Sequence, residues 1–177
     1  MFEAQLLGSF RKKEDPRFRE AWRSRSGAEQ GYLSYRDAIS LVREFTDPAE
    51  ATHPEKDFLR DLRIELKDRL GERLPEETVR AYNAIGTPLD MYHGIDAFLS
   101  INFLGKEYII TLDATLREEK LSGDEVVKAD LVIGSLPDPA VDTDRYLAEI
   151  SVLANRIAKI IQEREKQNMP FSAAAAA

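Results

Sequence analysis

Residues 93–116, HGIDAFLSINFLGKEYIITLDATL, constrain the fold of this chain more than any other stretch. Ile95–Leu104 and Glu107–Leu116 are two runs rich in Ile, Leu, Phe, Tyr and Thr, residue types that suit a pleated strand. Gly105-Lys106 between them predicts a two-residue type II′ turn, because glycine at the first central position accepts a positive φ. Such a turn sets Leu104 opposite Glu107, Phe98 opposite Asp113 and Asp96 opposite Thr115. Side chains alternate along a strand. One face then holds Ile95, Ala97, Leu99, Ile101 and Phe103 against Tyr108, Ile110, Leu112, Ala114 and Leu116, and its apolar character predicts the core. The other face carries Asp96, Phe98, Ser100 and Asn102 against Ile109, Thr111, Asp113 and Thr115.

Two aspartates on one hairpin face call for a reason, since aspartate is disfavoured in strands. The expected register makes them diagonal neighbours, with Cα atoms roughly 7–8 Å apart. One reading is a solvent-facing side, where Asp, Ser, Asn and Thr are ordinary. The other is a site for a divalent cation, whose charge offsets the repulsion of two carboxylates. Carboxylate-plus-water coordination suits magnesium or manganese. Phe98 and Ile109 on the same face argue that it is partly covered.

The segments around the hairpin read mostly as helices. Arg17–Arg25 predicts a short one that stops near Gly27. Ser34 is an N-cap candidate for SYRDAISLVREF, whose apolar residues fall on one side. Thr52 and Glu55 form a capping-box pattern ahead of a long helix with Pro54 in its first turn, Phe58, Leu59, Leu62, Leu66 and Leu70 along its stripe, and Gly71 as its stop. LPEETVRAYNAIG reads as a further helix, paired antiparallel with the one before it across a short connection. KADLVIGS, 128–134 in the main, predicts a strand. Asp142 caps a final helix over about 143–167, with Tyr146, Leu147, Ile150, Leu153, Ile157, Ile160 and Ile161 as its apolar face. The expected fold class is α+β: a small mixed sheet, built of the hairpin 95–104/107–116 plus strand 128–134, flanked by helices. The expected organisation is a helical segment over 1–50, an α+β core over 51–168 and a low-complexity tail over 169–177.

A chain of 177 residues suits one domain with a proper core. It has no cysteine, which excludes disulfides and thiolate metal sites and fits a reducing compartment. With only two histidines besides, a zinc centre is not expected. No apolar run approaches the roughly 20 residues of a membrane span, and the first residues lack the order of a signal peptide. The expectation is a cytoplasmic protein without a membrane partner.

The net charge of −7 is unevenly spread. Between Ser9 and Ser26, Arg11, Lys12, Lys13, Arg17, Arg19, Arg23 and Arg25 outnumber Glu14, Asp15 and Glu20, so this arm is basic on an acidic body. Phe10, Phe18 and Trp22 punctuate it. Such an arm could contact phosphates through Arg11, Lys12, Lys13, Arg17 and Arg23 and stack its rings on bases. The reading that charge runs usually favour is a solvated helix face whose aromatics dock on the body.

GIDAFL, the hairpin, ITLDAT and KADLVI together resemble the core of the PD-(D/E)xK nuclease superfamily. The resemblance covers about 89–133, and its motif is short. It implies a restriction-endonuclease-like core, metal-dependent hydrolysis of phosphodiester bonds, and Asp96 and Asp113 as ligands of magnesium or manganese. The family's lysine falls two residues after the second acid, where this chain has Thr115. Lys120 or Lys128 would then supply the cation from another element. A further family glutamate falls among Glu55, Glu65, Glu76 and Glu77, with Glu77 preferred. His93 is a candidate ligand or base that also has a structural reading. Nucleic acid is the implied partner. The alternative is a non-catalytic interaction or structural subunit on a degenerate core of this kind, binding a protein partner or a second copy through its helices.

Overall fold

Alternation of apolar residues along the hairpin does what the sequence demands, and a computed structural model shows the result for residues 2–26, 31–71, 75, 78–117 and 128–168. Strands β2 (Ala97–Phe103) and β3 (Lys106–Ala114) pair antiparallel. The turn between them is Leu104-Gly105, not Gly105-Lys106: Phe103 pairs with Lys106, and both turn residues have positive φ, 51° and 76°. That is the type I′ requirement, with glycine at the second central position, and its twist matches the flanking strands. Phe98 therefore faces Thr111 rather than Asp113. The shift is by a whole pleat, so the two sets of side chains keep their sides.

A third antiparallel strand, β1 (Val79–Asn83), pairs with β2, from Val79 opposite Ile101 to Asn83 opposite Ala97. This corrects the helix expected over LPEETVRAYNAIG and the antiparallel helix pair that went with it. Alanine and glutamate favour helix only weakly. Burying Val79 and Ala81 on one side and Tyr82 on the other decides in favour of a strand. Strand β4 (Leu131–Ile133) is shorter than expected and joins β3 in parallel, completing a mixed sheet of order β1-β2-β3-β4.

Seven helices accompany this sheet among the described residues. They are α1 (Phe2–Leu7), α2 (Pro16–Arg25), α3 (Tyr35–Phe45), α4 (Pro48–Thr52), α5 (Asp57–Leu70), α6 (Pro88–His93) and α7 (Thr143–Asn168). Ser34 caps α3 by accepting the Asp37 N–H at 3.2 Å, as its position predicts. The capping box proposed at Thr52 does not form. Asp47 accepts the Ala49 N–H at 2.8 Å and Pro48 opens α4, so Thr52 ends one helix, and α5 starts only at Asp57. An aspartate followed by proline is the stronger start signal. Gly71 closes α5 as expected. The Asp142 carboxylate accepts the Arg145 N–H at 3.1 Å at the head of α7. Along α7, Tyr146, Ile150, Leu153, Ile157 and Ile161 are buried, whereas Leu147, expected on that face, is exposed.

Helices cover both sides of the sheet. Leu99, Ile101, Ile110 and Leu112 pack against Leu59, Leu62 and Leu66 of α5 and Ile150, Ile157 and Ile161 of α7. On the opposite side, Tyr82 and Phe98 pack against Phe10, Phe18, Leu41, Val42 and Leu89. The polar-bearing face of the hairpin is thus interior, which overturns its solvent-facing reading: Ser100, Thr111, Asp113 and Thr115 are all buried. The second cluster also crosses residue 50, joining Phe10, Phe18 and Leu41 to Ala51 and Phe98.

Candidate functional site

Asp96 owes its place to the short helix ahead of it. Thr87 caps α6 by accepting the Leu89 N–H at 3.2 Å, Pro88 fills the first turn, and Gly94 ends the helix in the left-handed region at φ 63°. Ile95 then dives into the second cluster. Asp96 follows, held on both sides by the sheet: its N–H donates to the Leu112 carbonyl at 2.9 Å and its carbonyl accepts from the Ala84 N–H at 2.8 Å. Leu112 is already the partner of Ala97. Two residues of one strand thus address one of the other, as in a β-bulge, which re-aims a side chain. Simple alternation therefore stops at Asp96, and its carboxylate turns across the strand to accept the Ala114 N–H at 2.8 Å.

Asp113 lies on β3 opposite Val132 of β4. The two aspartates are only 7% and 5% exposed. Burial pushes the Asp96 carboxyl up to about 7; the Ala114 N–H pulls it back, and the charges of Asp90, Asp113 and Glu3 push it further up. Asp90, on α6, accepts the Gly86 N–H at 2.8 Å, and burial raises its carboxyl as well. The two aspartates singled out from the sequence thus come within electrostatic reach of each other, joined by Asp90 and Glu3, which sequence reasoning did not select. Among the described residues no group of three or more His, Asp or Glu side chains is arranged to hold a metal ion. Magnesium itself asks for only one or two carboxylates and keeps several waters when bound.

No protein-family model, curated protein or solved structure matches this chain.

The remaining candidates fall in different places. Thr115 is buried, and its hydroxyl accepts the Arg117 N–H at 3.1 Å. Lys128 donates Nζ to the Tyr92 carbonyl at 3.5 Å, at the far end of α6 from Asp90. Glu76, Glu77 and Lys120 lie outside the described residues. Glu65 pairs with Arg69 on α5, and Glu55 with Arg11. His93 shares a hydrogen bond of 2.9 Å with the Leu33 carbonyl and sits among Tyr32 and Tyr35, a structural setting. In the basic arm, Phe10 and Phe18 are buried and cannot stack on a base, which corrects that part of the expectation. Arg11 bridges to Glu50 and Glu55, Arg19 to Glu14 and Arg25 to Glu44, while Lys12, Lys13, Arg17 and Arg23 form no ion pair among the described residues.

Sequence reasoning missed two polar networks on the interior face. Arg43 of α3 holds Glu107 through two bonds of 3.2 and 2.5 Å, and the Ser100 hydroxyl donates to the same carboxylate at 2.6 Å. Burial would raise Glu107, but these bonds and the Arg43 charge hold it below its usual range. The Arg43 guanidinium also lies 5.9 and 6.0 Å from the stacked rings of Tyr82 and Phe98. Farther along, Asp130 accepts the Thr111 N–H and hydroxyl at 2.9 and 3.0 Å and pairs with Arg164 of α7. Ser100 and Thr111 at core positions of a hairpin were the available signal, because buried hydroxyls need partners.

Proposed function

We propose that this chain is a divalent-cation-dependent enzyme that hydrolyses nucleic-acid phosphodiester bonds on a restriction-endonuclease-like core. The observation that carries the reading is the setting of Asp96: a buried carboxyl raised by burial and by the charges of Asp90, Asp113 and Glu3, with the Ala114 N–H favouring its ionised form. Keeping the Asp96 carboxylate ionised in a dry interior beside other acids is costly, and a bound cation offsets that cost. A long helix, three antiparallel strands and a fourth parallel one, sandwiched between helices, also support the reading. In it Asp96 and Asp113 hold magnesium or manganese. When bound, the ion lowers the pKa of a coordinated water and stabilises charge on the phosphoryl oxygens. The Ala114 N–H fixes the Asp96 carboxylate so that one oxygen remains to face the ion. In this reading substrate phosphates fall to Lys128, whose Nζ reaches the Tyr92 carbonyl, and to Lys13, whose side chain passes 3.4 Å from where a Cβ on Gly86 would stand.

Thermal melting with added magnesium or manganese tests the site. A rise in melting temperature that Asp96→Asn and Asp113→Asn each abolish is the expected result. Manganese-dependent cleavage of plasmid DNA or RNA, lost in Asp113→Ala, is expected in addition. Thr115 at the lysine position favours one second reading, a non-catalytic subunit on the same core that binds a protein partner or another copy. In that case the metal shift persists without cleavage, or both are missing.

A further inference from the structure

The face of α2 turned toward α6 is built differently from the rest of the basic arm. Arg19, Trp22, Arg23 and Ser26 recur at helical spacing, and with Gly31 and Tyr92 they line a cavity of about 390 Å³. Its walls are fixed. The Trp22 indole N–H donates to the Gly31 carbonyl at 2.6 Å, and Phe18, fully buried, lies 6.1 Å from the indole. Tyr92 meets Tyr32 edge-on at 5.6 Å. Residue 31 has φ +89°, a region that favours glycine, and a Cβ there would press on the Tyr92 hydroxyl at 3.0 Å. The charge is one-sided. Arg19 is engaged by Glu14, but the exposed Arg23 guanidinium has no acid partner among the described residues.

Two aromatic side chains beside a guanidinium with no acid partner among the described residues suit a flat ring that carries an anion. A simple phosphate would have no use for the rings, and an apolar peptide none for Arg23. The size lies in the range of small-molecule sites, and base stacking on aromatics is a common device for single strands. Tyr92 also stands on α6, which leads through Gly94 directly into Asp96. We infer that this cavity receives an unpaired nucleobase of a single-stranded nucleic acid, with the adjoining phosphate on Arg23. The inference rests on the reading that nucleic acid is the substrate, and it gives the preferred form of that substrate. A duplex keeps its bases stacked inside and cannot fill the cavity.

Trp22 is the single tryptophan of the chain, so its fluorescence reports this cavity alone. The full chain, held in chelator, is titrated with a short oligothymidylate, with thymidine monophosphate and with a blunt duplex. Saturable quenching by the oligonucleotide is expected, with far weaker effects from the other two. Arg23→Gln, an exposed change that leaves the fold intact, is expected to weaken binding about tenfold and to reduce the salt slope by about one. Emission that ignores the oligonucleotide, a duplex that binds as well, or Arg23→Gln binding as tightly as the parent would overturn the inference. Monophosphate binding as tight as the strand would overturn it in favour of a free-nucleotide site. Asp96→Asn is expected to bind as the parent does in chelator. Failure of the metal site therefore shows as lost cleavage with quenching intact, and failure of this cavity as lost quenching with the metal-induced melting shift intact.

Discussion

Asp96 shows how one residue can oppose the fold it helps to build. Its carboxyl is raised from 3.8 to about 7, so the folded chain binds a proton that the unfolded chain has already released over that interval. Stability from this group is fully present below about pH 4 and declines as pH rises through 7, by an amount on the order of 4 kcal/mol. In chelator, the melting temperature of the parent should fall across that window, while Asp96→Asn should be flatter and more stable at pH 8. Parallel curves for the two proteins would exclude the raised carboxyl. Phe18 makes the opposite case. Completely buried between Phe10, Trp22 and Phe45, it should cost about 3–5 kcal/mol on replacement by alanine, read as a lower urea midpoint with an unchanged slope. Both aspartates were legible in the sequence, because acids are out of place in an apolar hairpin. Asp90 and Glu3 were not, since an acid in a first helical turn has an ordinary explanation. Asp130 with Arg164, and Arg43 with Glu107, join residues distant in the chain, and no local pattern marks such pairs.

Elements with a strong periodicity were readable: α3, the body of α5, α7 and both hairpin strands stand close to where their patterns put them. Strand β1 was not, because five residues hold too little alternation to outweigh the acidic, helix-like residues before them, and its partner β2 decides its state. The hairpin turn was misplaced by one residue, since Leu104 is an unusual occupant of the left-handed region. It is 73% exposed at φ 51°, where a leucine side chain is strained and finds no packing in return. Leu104→Asn would create the favoured Asn-Gly turn and should raise stability by about 1 kcal/mol, checked by chemical denaturation. A destabilised variant would place the glycine elsewhere in the turn.

At the scale of the whole molecule, the sheet depends on cover from both sides. Removing residues 2–31 would strip Phe10 and Phe18 from Tyr82 and Phe98 and leave an apolar sheet face in water. The shortened chain should lose its single sharp melting transition and associate in solution, as seen by circular dichroism and light scattering. The parallel seam between β3 and β4 carries a kinetic consequence. Strands β1, β2 and β3 follow one another and can zip together from nearby parts of the chain, whereas β4 must travel back across an intervening segment to reach Val132 opposite Asp113. Asp113 gains its neighbour Val132 only when that strand docks. Contacts made after the antiparallel strands have paired weigh on the unfolding limb, so shortening Ile133 to alanine should quicken escape from the native state and leave the rate of refolding nearly as it was.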